Sequence, residues 1–249
     1  MKDHSSVNTT FLEGKRAIVT GGSRGIGFEI ARALLSHGSD VLITGRNHES
    51  LASAVSHLEA AAAGRKLLSF PCDIGKSTEV ESMFAYADRH FGGLDILINN
   101  AGSGVFRSAA ELTIEEWDHT IATNLSGAFY CTHAAIHRMP QRDGGFIINI
   151  SSLAGKNPFA GGAAYNASKF GMNGLSEATM LDYRHDRIRV SYIMPGSVDT
   201  GFSGQEPQTK SAWKIAPEDV AEIVISILRM PERTLISRVE VRPSRPSPH

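Results

Sequence analysis

From Lys15 almost to the end of the chain, short apolar runs alternate with stretches in which apolar residues recur every three or four positions. The compact runs predict strands at Arg16–Thr20, Asp40–Thr44, Lys66–Phe70, Asp95–Ile98, Gly145–Ile150, Ile188–Met194 and Leu235–Val241. The periodic stretches predict helices at Gly25–His37, Glu49–Ala63, Ser77–Phe91, Glu115–Met139 and Ala164 to about Arg184. A last helix opens at Pro217, with Glu218 and Asp219 at its positive end. Strands this apolar suit a parallel sheet covered on both faces, so the expected class is α/β: a doubly wound sheet of about seven parallel strands with helices on each side. No linker or internal repeat divides the chain. The expected organisation is a polar tail over 1–14, one domain over 15–241 and a proline-rich tail over 242–249, which suits neither helix nor central strand.

Composition narrows the function. The 249 residues are 41% hydrophobic and carry a formal net charge of −1, which argues against the basic excess of a nucleic-acid binder. Cys72 and Cys131, the only cysteines, form no CxxC pair and need no oxidising compartment. No apolar run reaches the roughly 18–20 residues that cross a bilayer, and Met1–Glu13 lacks the apolar core of a signal peptide. The expectation is a cytoplasmic protein with no membrane and no nucleic-acid partner. His133 and His137 lie four apart on a predicted helix, but the glutamate of an HExxH zinc site is replaced by Ala134, so no metal is expected.

The candidate chemistry sits mainly at strand ends. TGGSRGIG at 20–27 leads from the first strand into a helix, where glycines allow a tight turn and close approach of a pyrophosphate to the helix N-terminus. The spacing of Gly21, Gly25 and Gly27 is not GxGxxG, and a plain glycine-rich turn would read the same way. After the second strand no acid stands ready for ribose hydroxyls, whereas Arg46 follows immediately and Arg24 lies in the glycine loop. Each arginine alone suits a solvated surface, but together they occupy the two places from which a 2′-phosphate would be read. Asp73 suits either an adenine contact or a turn. Tyr165 and Lys169 share a helix face, where an ammonium would lower a phenol pKa from its ordinary ~10. Ser152 closes a strand, and Asn124 interrupts an apolar-periodic helix in which Asn is unfavourable.

Taken in order, TGGSRGIG at 20–27, CDI at 72–74, NNAG at 99–102, Asn124, ISS at 150–152, YNASK at 165–169 and PGSVDT at 195–200 resemble the short-chain dehydrogenase/reductase family over Lys15 to Val241. The resemblance implies a single-domain Rossmann-type fold and an NADP(H)-dependent oxidoreductase. Such an enzyme moves hydride between nicotinamide and a ketone or secondary alcohol. Tyr165 would be general acid/base, Ser152 would orient the carbonyl, and Lys169 would anchor the nicotinamide ribose and tune the phenol. Asn124 would hold a proton-relay water. Gly21, Ser23, Arg24, Gly25, Ile26 and Gly27 would line pyrophosphate and adenosine ribose, with Arg46 at the 2′-phosphate. Asp73 and Ile74 would meet adenine, Asn100, Ala101 and Gly102 the adenosine and sugar region, and Pro195, Gly196, Val198 and Thr200 the nicotinamide. A homotetramer or homodimer acting on a small carbonyl or alcohol substrate is implied.

Two further readings stay open: a 3-oxoacyl-[acyl-carrier-protein] reductase, and a non-catalytic NADP-sensing protein on the same fold. The C-terminus lacks the terminal Asp-Gly-Gly pattern of the first, and the complete Asn124–Ser152–Tyr165–Lys169 set weighs against the second. The stretch Gly201–Ile215 is expected to form a short mobile lid, with Phe202 and Trp213 as apolar substrate contacts.

Overall fold

A computed structural model describes residues 10–201 and 213–245. The first half runs β1 (Arg16–Thr20), α1 (Gly25–Ser36), β2 (Asp40–Gly45), α2 (His48–Ala62), β3 (Leu67–Pro71), α3 (Ser77–Phe91) and β4 (Ile96–Asn99). The second runs α4 (Ile114–Ile121), α5 (Gly127–Ile136), β5 (Gly145–Ile150), α6 (Ala163–Tyr183), β6 (Ile188–Pro195), α7 (Pro217–Leu228) and β7 (Arg238–Val241). The strands form one parallel sheet in the order β3-β2-β1-β4-β5-β6-β7.

Successive strand residues point to opposite faces, and each face has its own apolar layer. Ala17, Val19, Val41, Ile43, Ile96, Ile98 and Ile148 meet α1, α2 and α7 through Ile30, Leu34, Leu58, Val220 and Val224. Ile18, Leu42, Leu97, Ile147 and Val190 face the other way, onto Val80, Met83 and Phe84 of α3 and Cys131 and Ala135 of α5. Both faces being covered explains why the central strands are apolar throughout. β1 lies between β2 and β4, so the chain leaves it in one direction first and crosses to its other side later. A crevice opens beyond the carboxyl ends of the strands at such a switch point.

The expected helix over Glu115–Met139 is divided. α4 and α5 are separated by a wider π turn at Ala122–Ser126, and a short 3₁₀ turn follows at Met139–Arg142. The apolar periodicity continues across the junction, which is why the sequence reads as one helix. α5 begins in close contact with the chain at Ile74, where a Cβ on Gly127 would come within 2.8 Å of the Ile74 side chain. The seventh strand is also shorter than expected, Arg238–Val241, and lies at the sheet edge. Of the expected lid, residues 202–212, including Phe202, lie outside the described residues. So do 1–9 and 246–249 of the two tails. Among the described residues no helix is long and apolar enough to cross a membrane.

Candidate active site

The switch point is held together by side chains from both sides of the crevice. The Thr20 hydroxyl accepts from the backbone N–H groups of Asn100 and Ala101, each at 3.0 Å. The Asn100 amide donates back to the carbonyls of Thr20 (3.0 Å) and Gly21 (3.1 Å). Gly21, with φ 64°, could not carry a side chain, because a Cβ there would lie 2.8 Å from the Ala101 Cα. Gly27 packs beneath the same turn, where a Cβ would fall 2.3 Å from the Gly21 carbonyl oxygen.

This turn borders a cavity of about 420 Å³. Of the residues singled out from the sequence, Gly21, Ser23, Arg24, Gly25, Ile26, Arg46, Asp73, Ile74, Asn100, Ala101, Gly102 and Thr200 line it. Gly27, Asn124, Ser152, Tyr165, Lys169, Pro195, Gly196 and Val198 do not. Gly27 supports the turn from below, the Gly196 N–H donates to the Val241 carbonyl at 2.8 Å, and Val198 pairs with Ile215. Thr44, Asn47, Ser50 and Thr123 also line the cavity, with no motif in the sequence that marks them as a group. Asn47 caps α2 by accepting from the Ser50 N–H at 2.8 Å, and an Asn just before a helix-period stretch is a legible cap signal. Asp73 takes part in a turn, accepting from the Gly75 N–H at 3.0 Å, and it also lines the cavity.

The α1 end of the cavity is polarised. α1 begins at Arg24 with no side-chain cap and no acid in its first turn. By contrast, Asn47 caps α2, and Thr113 with Glu116 forms a reciprocal capping pair on α4. The first-turn N–H groups of α1 therefore add positive potential beside the Arg24 and Arg46 guanidinium groups. Arg46 is exposed and reaches His119 of α4 at 3.5 Å.

Beyond Gly102, Asn124 turns inward from the π turn and is fully buried. Its Oδ1 accepts from the Ser103 N–H at 2.7 Å, and its Nδ2 donates to the Ser103 carbonyl (2.8 Å) and to Ser168 Oγ (3.0 Å). Ser168 Oγ donates in turn to the Tyr165 carbonyl at 2.8 Å. Asn124 thus links the β4–α4 loop to the helical turn that carries Tyr165. Its misfit in an apolar helix has a definite cause: a buried amide with three protein partners.

Tyr165 and Lys169 share a face of α6, as their spacing requires. Lys169 is 4% exposed; its ammonium donates to the Ile150 carbonyl at 2.9 Å and lies 5.8 Å from the centroid of the Tyr165 ring. Burial pulls the Lys169 pKa down to about 8. The expectation that the ammonium lowers the phenol is not met: burial raises Tyr165 above its ordinary value, and a hydrogen bond with Ser152 only partly offsets it. Desolvation of the phenolate outweighs the remaining stabilisation. Near neutral pH the pair is therefore a phenol beside an ammonium. Ser152 also accepts from the Ala154 N–H at 3.1 Å, which fixes the hydroxyl at the end of β5.

Cys72 and Cys131 are buried, and burial pushes the Cys72 thiol up to about 12, so neither is set up as a nucleophile. His133 and His137 meet edge to face with ring centroids 4.8 Å apart; among the described residues no three His, Cys, Asp or Glu side chains gather as a metal site would require.

The family model described as short chain dehydrogenase matches residues 15–211. An uncharacterized oxidoreductase of Staphylococcus aureus is 32% identical over 234 residues, covering 94% of this chain and 99% of that protein. A D-beta-hydroxybutyrate dehydrogenase of Cupriavidus necator is 33% identical over 230 residues, covering 92% and 88%. The crystal structure of a metagenomic short-chain oxidoreductase in complex with NADP superposes with a TM-score of 0.82 at 37% identity, covering 94% of this chain and 99% of that one.

Proposed function

The chain belongs to the short chain dehydrogenase family, and from that premise we propose that it is an NADP(H)-dependent reductase of ketones, or in reverse a dehydrogenase of secondary alcohols. The lining of the cavity supports the adenosine and phosphate part of this reading. An uncapped helix start, two arginines and a turn whose Gly25 adopts φ 56° form an anion cradle on one wall of the cavity. Arg24 and Arg46 would take the 2′-phosphate, Asp73 and Ile74 the adenine, and Thr200 the nicotinamide end. The metagenomic relative solved with NADP supports the same choice. When bound, the reduced nicotinamide supplies a hydride to the carbonyl carbon.

The work of the chain's own residues is to position and protonate. The Tyr165 hydroxyl donates its proton to the carbonyl oxygen, and Ser152 holds that oxygen by a hydrogen bond. Lys169 places a positive charge beside the phenolate that forms. It therefore favours the charged product of proton transfer, although in the resting protein burial keeps the phenol protonated. Asn124 is a positioning residue, acting through Ser103 and Ser168.

The observation that carries this reading is the convergence of Ser152, Tyr165 and Lys169 from the end of β5 and from α6. A screen of NADPH consumption over ketones, 3-oxoacyl thioesters, quinones and steroids tests it. Consumption that depends on a carbonyl compound supports the proposal; NADPH binding with no turnover across the panel sinks it in favour of a cofactor-binding role.

A further inference from the structure

Two exposed phenylalanines converge on Tyr165 from separate loops. The Phe106 ring, 46% exposed, lies 5.5 Å from the Tyr165 ring centroid at 73°, edge to face. The Phe159 ring, 45% exposed, lies 6.5 Å from Tyr165 and 5.7 Å from Phe106. Both loops are otherwise rich in small residues, and both are anchored. Arg107 pairs with Gly162 across them, Asn124 grips Ser103, and Asn166 donates to the Phe159 carbonyl at 2.9 Å. The Phe159 ring occupies the space that a Cβ on Gly162 would need, at 2.7 Å. Large apolar rings left half in water on tethered loops are costly unless something covers them, and these two stand beside the group proposed to donate a proton.

Charge narrows what the cover is. Arg107 pairs with Glu116 at 3.2 Å, Glu111 accepts from Ser108 at 2.7 Å, and Lys156 pairs with Glu240. Every charged side chain on the two loops thus has a protein partner, and the Lys169 ammonium is buried, donating to the Ile150 carbonyl. Nothing on these loops is arranged to receive an anionic group next to the carbonyl.

Resting on the reading of Tyr165 as proton donor, we propose that Phe106 and Phe159 form the specificity wall of the substrate site. The substrate is then an uncharged ketone carrying an aromatic ring beside its carbonyl. The ring packs against the two phenylalanines while the carbonyl oxygen meets Tyr165 and Ser152. Their preset geometry means that little side-chain freedom is lost on binding.

The test compares acetophenone with acetoacetate in the wild type, in Phe106→Ala with Phe159→Ala, and in Phe106→Leu with Phe159→Leu, which keeps apolar bulk without rings. The expected result is a kcat/KM for acetophenone at least about tenfold above that for acetoacetate, with about a tenfold loss in the alanine pair, mainly through KM, and a smaller loss in the leucine pair. Saturation-transfer NMR of acetophenone on the NADP+-loaded protein supplies a readout independent of turnover, and NADPH affinity should be unchanged. Equal or better use of acetoacetate, or acetophenone binding and KM unaltered in the leucine pair, overturns the proposal. Ring binding that the variants weaken, in a wild type that reduces no carbonyl compound, supports the ring site and counts against the assignment of Tyr165 instead.

Discussion

At the residue scale, burial governs how the site titrates. Lys169 has a pKa of about 8 in the fold against an ordinary 10.5, so between these values the unfolded chain holds the proton more tightly. The destabilisation from burying the ammonium is present in full below pH 8 and is relieved as pH rises toward 10.5. Tyr165 works the other way: its pKa is raised by burial, so it contributes stability below pH 10 that is lost as pH climbs through its folded value. The Tm of the wild type, measured relative to Lys169→Met, should therefore increase from pH 8 to pH 10. A flat difference would mean that the amine is not held in a desolvated site. The shared face of Tyr165 and Lys169 was legible from a spacing of four. Their titration was not, because it depends on how deeply the finished fold buries both groups.

At the scale of elements, the end of β2 and the start of α1 decide which cofactor is read. Gly45 has room for a side chain, since a Cβ there would first meet Ser23 Oγ at an ordinary 3.4 Å. Gly45→Asp with Arg46→Ile should consequently fold and should reverse the local charge. Hydrogen bonds to charged groups contribute about 1.5–3 kcal/mol each before screening, so the two arginines can give an NADPH preference of order ~10². The double variant should lower that preference through KM more than kcat, as kinetics with both cofactors would show; an unchanged ratio would remove Arg46 from cofactor choice. The π turn between α4 and α5 yields a second expectation. Asn124→Ala strips partners from the Ser103 N–H and carbonyl and from Ser168, at about 1–3 kcal/mol for each group left buried and unpaired. Thermal unfolding should show a lower Tm, and turnover should fall with NADPH affinity retained. The sequence signalled Asn124 through its misfit. It could not signal the turn, because apolar periodicity is unbroken on either side.

At the scale of the whole molecule, the fold was legible because every central strand is apolar on both faces and each is followed by a helix-period stretch. That combination admits few arrangements other than a doubly wound parallel sheet. The strand order then fixes where chemistry can occur: the crevice between β1 and β4 receives the glycine turn, and the chain after β6 brings Thr200 to its wall. Phe106 and Phe159 went unread because no periodicity marks them; they meet only when the β4–α4 and β5–α6 loops are brought together across the sheet. Tyr165 stands where these parts join, and the proposed reaction turns on its proton. The decisive measurement is NADPH consumption with a responsive ketone by wild type and Tyr165→Phe, alongside NADPH affinity for each. Turnover should fall by ~10²-fold or more in Tyr165→Phe while affinity holds. Near-wild-type turnover by Tyr165→Phe would contradict the proposed reaction.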